Sequence, residues 1–372
     1  MLQAPCSHSD HFRTARIDHA VRQLSQSHRQ RAKNSHMTQT TSITPTESDI
    51  VQRVEAAGDR MRRVHKVASG IVFGQEKVIE QTLITILSGG HGLLVGVPGL
   101  AKTLLVETLG RVLGLDAKRI QFTPDLMPSD IIGSEVLEDA GGTGRRSFRF
   151  IKGPIFAQLL MADEINRASP KTQSALLQAM QEHHVTVAGQ RHDTPAPFHV
   201  LATQNPLEQE GTYPLPEAQL DRFLLQIDVG YPGEAAERRM LFATTGTEDR
   251  RLETVLTAPE LQSIQRLVRQ IPVSDKVVDS ILKLVRSARP GEGASAEADR
   301  LIAWGPGPRA SQALMLAVRA KALVDGRLAP SVDDVMALAE PVLKHRMALT
   351  FAARAEGISV SRVVANLASS IA

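Results

Sequence analysis

A glycine-rich segment followed by lysine and threonine, residues 96–103, has the composition of a phosphate-binding loop. It follows a short apolar run, Leu93 to Val95, and precedes a helical pattern. Glycines let backbone N–H groups point toward one site, the first helical turn adds partial positive charge, and Lys102 adds a full charge. We therefore predict that Lys102 neutralises the β- and γ-phosphates of ATP and that the Thr103 hydroxyl binds Mg²⁺. The predicted nucleotide-binding loop consists of Gly96, Val97, Pro98, Gly99, Leu100, Ala101, Lys102 and Thr103.

Position 101 departs from the usual pattern G-x-x-x-x-G-K-[ST], because alanine stands where the second fixed glycine is expected. We expect the loop to tolerate this alanine if the residue has helical dihedral angles. Taken alone, the segment is also compatible with an ordinary strand–turn–helix connection that carries an exposed lysine.

Two acidic residues, Asp163 and Glu164, follow the apolar run of residues 159–162. Parallel α/β sheets bind ligands at the carboxyl ends of their strands, so this position places the acids beside the phosphate loop. We predict that Asp163 holds Mg²⁺, through water, and that Glu164 orients and polarises the attacking water. The alternative is structural, because acids at strand ends also cap helices.

Three further polar residues are candidates for the site. Asn205 ends another apolar strand, where an uncharged donor would position the γ-phosphate and the water without competing for the metal; it could instead cap a turn before Pro206. Arg222 precedes a strand and Arg309 opens a helix. A guanidinium matches the charge that develops on a transferred phosphoryl group, although surface ion pairs are the common role of arginines.

The elements that would position these residues follow from hydrophobic periodicity. Apolar runs that alternate with helical patterns predict an α/β fold with a parallel sheet covered on both faces. Residues 135–151 predict a β-hairpin around the turn at 141–144. Beyond about residue 250 only helical patterns occur, with a loop at 288–301. We therefore predict three parts: an N-terminal extension (1–47), an ATPase core (48–250) and a smaller helical domain (251–372).

The composition excludes several classes of protein. Hydrophobic residues make up 42% of the 372 residues, enough for the cores of two domains. Aromatic residues make up 3%, too few for base-stacking platforms, and the single Cys6 excludes a disulfide framework or a cysteine metal site. No apolar run approaches the roughly 18 to 20 residues of a membrane span. We therefore expect a cytoplasmic protein.

The net charge of +3 does not indicate a nucleic-acid partner, because the excess of basic residues lies within residues 1–36. This segment is rich in Ser, Gln and His and lacks the apolar region of a secretory signal. We interpret it as a disordered extension or as the product of a start assigned too early, with Met37 the working start. Its Arg and Ser residues resemble a transit peptide only weakly.

Several segments closely resemble the MoxR ATPases of the AAA+ superfamily. They are Gly74-Gln75 and residues 96–103, 122–130, 162–167, 173–177, 202–206 and 220–223. The resemblance extends over roughly residues 48–350, and alanine at position 101 is usual in this family. It implies a P-loop AAA+ αβα core with a helix-2 insert (the 135–151 hairpin), a further hairpin before the sensor strand, and a C-terminal all-helical lid. It also implies a homo-oligomeric ring, commonly hexameric, with ATP bound between subunits.

The same resemblance implies roles for individual residues. Asn205 corresponds to sensor 1, Arg309 to sensor 2 acting within its own chain, and Arg222 to an arginine finger acting on the neighbouring subunit. Gln75 and its neighbours would lie against the adenine. Arg167 could also serve as the finger. The segment 305–309, Gly-Pro-Gly-Pro-Arg, departs slightly from the family's Gly-x-Ser-Pro-Arg, which affects the expected loop geometry.

The implied function is Mg²⁺-dependent ATP hydrolysis that drives chaperone-like remodelling, assembly or metal-cofactor maturation of partner proteins. Family members work beside proteins with von Willebrand factor A domains. Two alternatives are an AAA+ transcription regulator or nucleic-acid motor, and a nucleotide switch without hydrolysis. The sequence contains no helix-turn-helix, zinc finger or basic stripe beyond residue 36 to support the first, and Glu164 with the two arginines argues against the second.

Overall fold

The core of the computed structural model is a five-stranded sheet with the strand order β2-β5-β8-β1-β9, in which every pairing is parallel. The structure describes residues 47–139, 146–208, 211–246, 252–291 and 295–371. The sheet strands are β1 (Gly92–Val95), β2 (Ala117–Gln121), β5 (Leu159–Asp163), β8 (His199–Gln204) and β9 (Leu225–Asp228). Since all five run in one direction, their carboxyl ends share one edge, as the sequence pattern predicts.

Successive residues of the buried strands alternate between two hydrophobic clusters, one on each face of the sheet. Leu94 and Leu201 face one cluster, whereas Leu93 and Val200 face the other. The first cluster contains three helices of the core: α1 (Glu47–Ser69), α2 (Glu76–Leu87) and α3 (Lys102–Val112). The second contains α4 (Pro128–Ile132) and α5 (Pro170–Glu182). The predicted αβα layering is confirmed.

Two antiparallel hairpins leave the core. One pairs β3 (Gly133–Asp139) with β4 (Arg146–Lys152), at the predicted place, and its predicted turn at 141–144 lies outside the described residues. The other pairs β6 (His184–Val187) with β7 (Gln190–Asp193). The two hairpins are in contact, because the ring of Phe150 stacks on that of His192 with centroids 4.1 Å apart. The short α6 (Glu217–Leu220) precedes β9, and α7 (Glu234–Thr245) follows it.

The C-terminal region is helical, as predicted, and packs on the first cluster. Its helices are α8 (Ala258–Gln270), α9 (Asp275–Ser287), α10 (Ala296–Leu301), α11 (Pro308–Val324), α12 (Val332–Leu343), α13 (Phe351–Ala355) and α14 (Val360–Ser369). A short antiparallel pair, β10 (Ile302–Trp304) with β11 (Ala348–Leu349), joins them and was not predicted. The predicted core–lid boundary at residue 250 lies outside the described residues and stays a prediction.

The loop prediction for residues 288–301 is wrong at its end, because Ala296–Leu301 forms α10. The Ser295 hydroxyl caps this helix by accepting a hydrogen bond from the backbone N–H of Ala298 (3.1 Å), and Ala298 and Leu301 are buried. Six residues are too few to show helical periodicity in a sequence rich in Gly, Pro and Ala. None of the described helices combines the length and the apolar character needed to cross a bilayer.

Candidate active site

The carboxyl edge of the sheet brings together the phosphate loop after β1, the acids after β5 and Asn205 after β8. The loop is anchored to the sheet, because the backbone N–H of Gly96 donates to the carbonyl of Gln204 (3.1 Å). A Cβ on Gly96 would lie 2.5 Å from the carbonyl oxygen of Val229, so the close approach of the loop to β9 requires glycine. The loop therefore lies against β8 on one side of β1 and against the residue that follows β9 on the other side.

The ammonium group of Lys102 is folded back onto the loop that precedes it. It donates to the carbonyl of Gly96 and to that of Val97 (3.3 Å). Burial lowers the pKa of Lys102, and the negative charges of Asp163 and Glu164 oppose this shift. The ammonium group thus lies among the loop carbonyls and close enough to both acids to interact electrostatically with them, as a phosphate-binding lysine requires.

Ala101 does not meet the condition expected from the sequence. Its φ is 58° and its ψ is 23°, so it is left-handed and not in the right-handed helical region. Gly99 is also left-handed (φ 83°), at no steric cost. Left-handed geometry costs an L-residue roughly 1–2 kcal/mol, because Cβ approaches the following carbonyl. The loop therefore carries local strain at the position where the general pattern has glycine.

Asp163 lies at the end of β5, is 8% exposed, and both of its carboxylate oxygens accept hydrogen bonds. Oδ1 accepts from the Thr203 hydroxyl at 2.5 Å. Oδ2 accepts from Nη2 and Nε of Arg119, at 2.6 and 3.1 Å. Arg119 and Thr203 were not identified from the sequence. The sequence offers only weak signals for them, a basic residue within the short strand β2 and a hydroxyl at the end of an apolar run, and neither indicates the partner before the strand order is known.

Glu164 is left-handed as well (φ 55°) and its carboxylate is held by two donors. Its Oε2 accepts from Nε2 of Gln121 (2.7 Å) and from Nη1 of Arg167 (3.0 Å). Its backbone N–H donates to the same Thr203 hydroxyl that bonds Asp163 (2.8 Å). Glu164 makes no capping hydrogen bond to the short helix that follows, so the helix-cap alternative is not what the structure shows.

Asn205 is buried (4% exposed), and its Oδ1 accepts from the backbone N–H of Leu207 (3.1 Å). This bond is the turn-capping contact that the sequence analysis gives as the alternative role of Asn205. It uses the side-chain oxygen only, whereas the predicted role needs the amide nitrogen as a donor. The structural and functional interpretations of Asn205 are therefore compatible, and the functional one stays a prediction.

A pocket of about 440 Å³ adjoins the phosphate loop and is the candidate for the nucleoside part of ATP. The loop side chains Val97 and Leu100 line it, as do Gly230 and Tyr231 beyond β9. Gln75 is buried, and its Nε2 donates to the carbonyl of Gly230 (2.8 Å). Gln75 thus holds a wall of the pocket but does not line it, and its contact with adenine stays a prediction.

Arg222 and Arg309 are not at this edge. Both line a second pocket of about 220 Å³ beside residues 90 and 91, where β1 begins, and Arg309 lies 3.6 Å from the Asp221 carboxylate. The phosphate loop lies beyond the other end of β1, about 16 Å away at the rise of an extended strand. The structure therefore does not bring Arg309 to the phosphate loop of its own chain, because the start of α11 lines the pocket beside residues 90 and 91. The expected role of Arg309 in cis is not supported.

The residues predicted to hold Mg²⁺ fit that ion. Thr103 and Asp163 offer a hydroxyl and a carboxylate, and hard oxygen donors are the ligands that Mg²⁺ prefers. In the part of the chain that the structure describes, no group of three or more His, Cys, Asp and Glu side chains could form a metal site by themselves. This agrees with an ion held by one or two protein oxygens together with phosphate and water.

The parallel sheet, the phosphate loop, the acid pair after β5 and the helical C-terminal region define a P-loop nucleotide-binding protein of the AAA+ type. Two family models match the chain: residues 91–225 match the ATPase family associated with various cellular activities (AAA), and residues 294–367 match the AAA lid domain.

Individual relatives agree with this class. The chaperone MoxR1 of Mycobacterium tuberculosis is 43% identical over 303 residues, which cover 81% of this chain and 79% of that protein. The protein MoxR of Paracoccus denitrificans is 32% identical over 78% of this chain and 89% of its own length. A crystal structure from Cytophaga hutchinsonii, of a protein described as a candidate ATPase, superposes with a TM-score of 0.78 at 37% identity, covering 85% of this chain and 95% of that one. This chain belongs to the MoxR family of AAA+ ATPases.

Proposed function

We propose that this protein hydrolyses ATP with Mg²⁺ at sites completed by a neighbouring copy of the chain. One observation carries the proposal: Lys102, Asp163 and Glu164 share one edge of the sheet, whereas Arg222 and Arg309 line a pocket at the opposite edge, beside the residues that precede β1. A heterologous contact repeated around a ring would place the arginine edge of one subunit on the phosphate-loop edge of the next. In this proposal both arginines act in trans, and the ring is hexameric as is common in the family.

The residues of the chain would act in the following way. Lys102 exchanges the loop carbonyls for phosphate oxygens, since both are acceptors for its ammonium group. Thr103 and Asp163 hold the ion, which supplies charge neutralisation on the β- and γ-phosphates when it is bound. Glu164 orients a water molecule, and the amide of Asn205 positions it. The guanidinium groups of the neighbouring subunit stabilise the charge on the transferred phosphoryl group.

Glu164 would orient the water through Oε1, because Gln121 and Arg167 both donate to its Oε2. A carboxylate that also accepts from a guanidinium attracts the proton of water less strongly. Displacement of Arg167 on nucleotide binding would therefore couple binding to hydrolysis.

We further propose that hydrolysis drives remodelling or maturation of partner proteins. The support is that one relative is a chaperone, together with the family resemblance, which extends to partners with von Willebrand factor A domains. The two contacting hairpins, β3–β4 and β6–β7, would transmit movement from the site to a client. No observation favours the nucleic-acid motor or the non-hydrolysing switch.

The test is the Glu164→Gln substitution, which keeps the shape of the side chain but removes the base. We expect ATP affinity within about twofold of wild type and turnover at least about 10²-fold lower. Phosphate release and binding of a fluorescent ATP analogue measure the two quantities. Lys102→Ala is the comparison variant and should lose binding itself. Turnover unchanged by Glu164→Gln would refute the hydrolytic site. The Glu164→Gln variant held in ATP is also the bait for isolating clients.

A further inference from the structure

A buried arginine of the lid holds the loop that carries Arg222. Arg346 follows α12, is 2% exposed, and spreads its donors over one short stretch of the core. Its Nε donates to Oδ1 of Asp221 (2.7 Å), and its Nη2 donates to the carbonyls of Phe223 (2.6 Å) and Asp221 (3.3 Å). Its Nη1 donates to the carbonyl of Leu224 (3.1 Å). The lid thus binds the main chain on both sides of Arg222.

The adjacent His345 supports the same stretch. Its Nε2 hydrogen-bonds the carbonyl of Phe223 (3.0 Å), so two neighbouring lid residues share one acceptor of the core. Only a guanidinium has enough donors in a fixed planar fork for a carboxylate and four carbonyls at once, the fourth being that of Val342 within the lid. A buried charge is costly unless it is paired and hydrogen-bonded, and Arg346 is both. The contact between Arg346 and the 221–224 loop is therefore a buried, specific one and is not a surface ion pair.

The second arginine is connected to the same group. Asp221 accepts from Arg346 and also pairs with Arg309 at 3.6 Å, and Arg222 is the next residue in the chain. Arg222, Arg309, Asp221 and Arg346 line the same pocket of about 220 Å³. Arg222 and Arg309, the two arginines proposed to act in trans, are thus each one covalent bond or one ion pair from Asp221, the residue that Arg346 holds.

We propose that Arg346 is a positioning residue that sets Arg222 and Arg309 for the nucleotide of the neighbouring subunit. The inference rests on the proposed trans role of those arginines. In this proposal the lid controls the position of the two arginines. A movement of α12 relative to the core would move the loop at 221–224 with it. Arg346 does not touch the nucleotide of either subunit.

The proposal predicts that binding and turnover respond differently to loss of Arg346. An error of about 1 Å in a transition-state contact costs on the order of 10²-fold in rate. We therefore expect Arg346→Met to lower turnover at saturating ATP by about ten- to hundredfold. The dissociation constant for ATP should stay within about twofold, because the phosphate loop lies about 16 Å away. A general loss of folding would instead weaken both quantities together.

Subunit mixing provides the decisive test, since the Arg346→Met subunit keeps an intact Glu164 and the Glu164→Gln subunit keeps intact arginines. Each variant alone should be nearly inactive. In a one-to-one mixture, roughly one interface in four combines a subunit that has Glu164 with a neighbour that has Arg346. Activity should therefore recover to about a quarter of that of wild type. Arg222→Ala mixed with Glu164→Gln is the positive control.

The outcomes separate the inference from the function on which it rests. Recovery with both Arg222→Ala and Arg346→Met supports the inference. Recovery with Arg222→Ala but not with Arg346→Met overturns it and leaves the trans site standing. No recovery with Arg222→Ala would refute the proposed trans site, and the proposed role of Arg346 would be refuted with it. If Arg346→Met does not fold, Arg346→Lys replaces it, because lysine keeps the charge but lacks the planar fork that binds Asp221 and the carbonyls of the 221–224 loop.

Discussion

At the scale of single residues, the sequence identifies the acids of the site but not the groups that hold them. Asp163 and Glu164 can be predicted because polar residues after a buried strand must lie at the ligand-binding edge of a parallel sheet. Their partners Arg119 and Gln121 cannot, because they become neighbours only once β2 pairs with β5 and Gln121 lies opposite Asp163. Strand order and register depend on contacts between residues far apart in the sequence, and local periodicity does not predict them.

At Ala101 the sequence shows only that alanine stands where glycine is usual. The backbone dihedral angles show that this alanine is left-handed. Replacing this left-handed alanine by glycine removes the steric cost but adds chain entropy to the unfolded state. We expect Ala101→Gly to raise the free energy of unfolding by roughly 0.5–1 kcal/mol. Urea unfolding without nucleotide measures the change.

The matched control makes the same chemical change in a right-handed helix. Ala235 is exposed near the start of α7, so Ala235→Gly should lower the free energy of unfolding by up to about 1 kcal/mol. Opposite signs for the two variants would confirm the left-handed geometry of Ala101. A loss of stability in both would contradict it.

At the scale of elements, the long periodic segments are predictable and the short or docked ones are not. The spacing of apolar residues alone predicts helices α1 and α11 and the strands of the sheet. Each helix has enough turns to show a period, and each strand has a sufficiently long apolar run. The six-residue α10 and the two-residue strand β11 are too short to show a period. Arg309 is correctly predicted to open a helix, but its position depends on how the lid docks, and that is fixed by the contacts of Arg346.

The anchoring of the phosphate loop can be tested at Gly96. A Cβ at this position would meet the carbonyl oxygen of Val229 at 2.5 Å, and this backbone atom, directly after β9, cannot move aside as a flexible side chain can. We expect Gly96→Ala to displace the loop and to weaken ATP binding by at least about tenfold, since misplaced N–H groups lose their bonds to phosphate. Isothermal titration with ATP measures the effect.

Gly233→Ala is the control for this experiment. Gly233 caps α7, has a φ of −72°, and would have no atom within 4 Å of an added Cβ. Its replacement should leave ATP affinity within about twofold, because a glycine-to-alanine change at a helix N-cap costs only on the order of 1 kcal/mol of helix stability. Equal loss of affinity in both variants would mean that Gly96 has no special role in the approach of the loop to β9.

At the scale of the whole molecule, three buried histidines lie where the core and lid meet or where strands begin. His199 hydrogen-bonds the carbonyl of Gly90 (2.9 Å) and accepts from Nε2 of Gln265 in the helical region (3.0 Å). His91 accepts from the backbone N–H of Val200 (3.0 Å), and His345 bonds the core from the lid. Each is fixed as a neutral imidazole. Burial lowers the pKa of His91 to about 3, that of His199 to about 4, and that of His345 well below 6.5.

These shifts predict how stability depends on pH. Unfolded histidine binds a proton near pH 6.5, whereas the folded groups stay neutral to about pH 4, so the unfolded chain binds more protons in this interval. Stability is therefore fully present above about pH 6.5 and is lost as the pH falls toward 4. Three histidines give a slope of up to about 4 kcal/mol per pH unit. Urea unfolding at closely spaced pH values from 7 to 5 measures this slope.

His199→Gln is the variant that assigns the slope to a particular group, because glutamine can both donate and accept but does not titrate. We expect its slope between pH 6 and 5 to be smaller than that of wild type by about 1.4 kcal/mol per pH unit, the contribution of one proton. His65→Gln is the control, since it removes a histidine that is only half-buried. An unchanged slope in His199→Gln would mean that His199 does not contribute to the acid sensitivity.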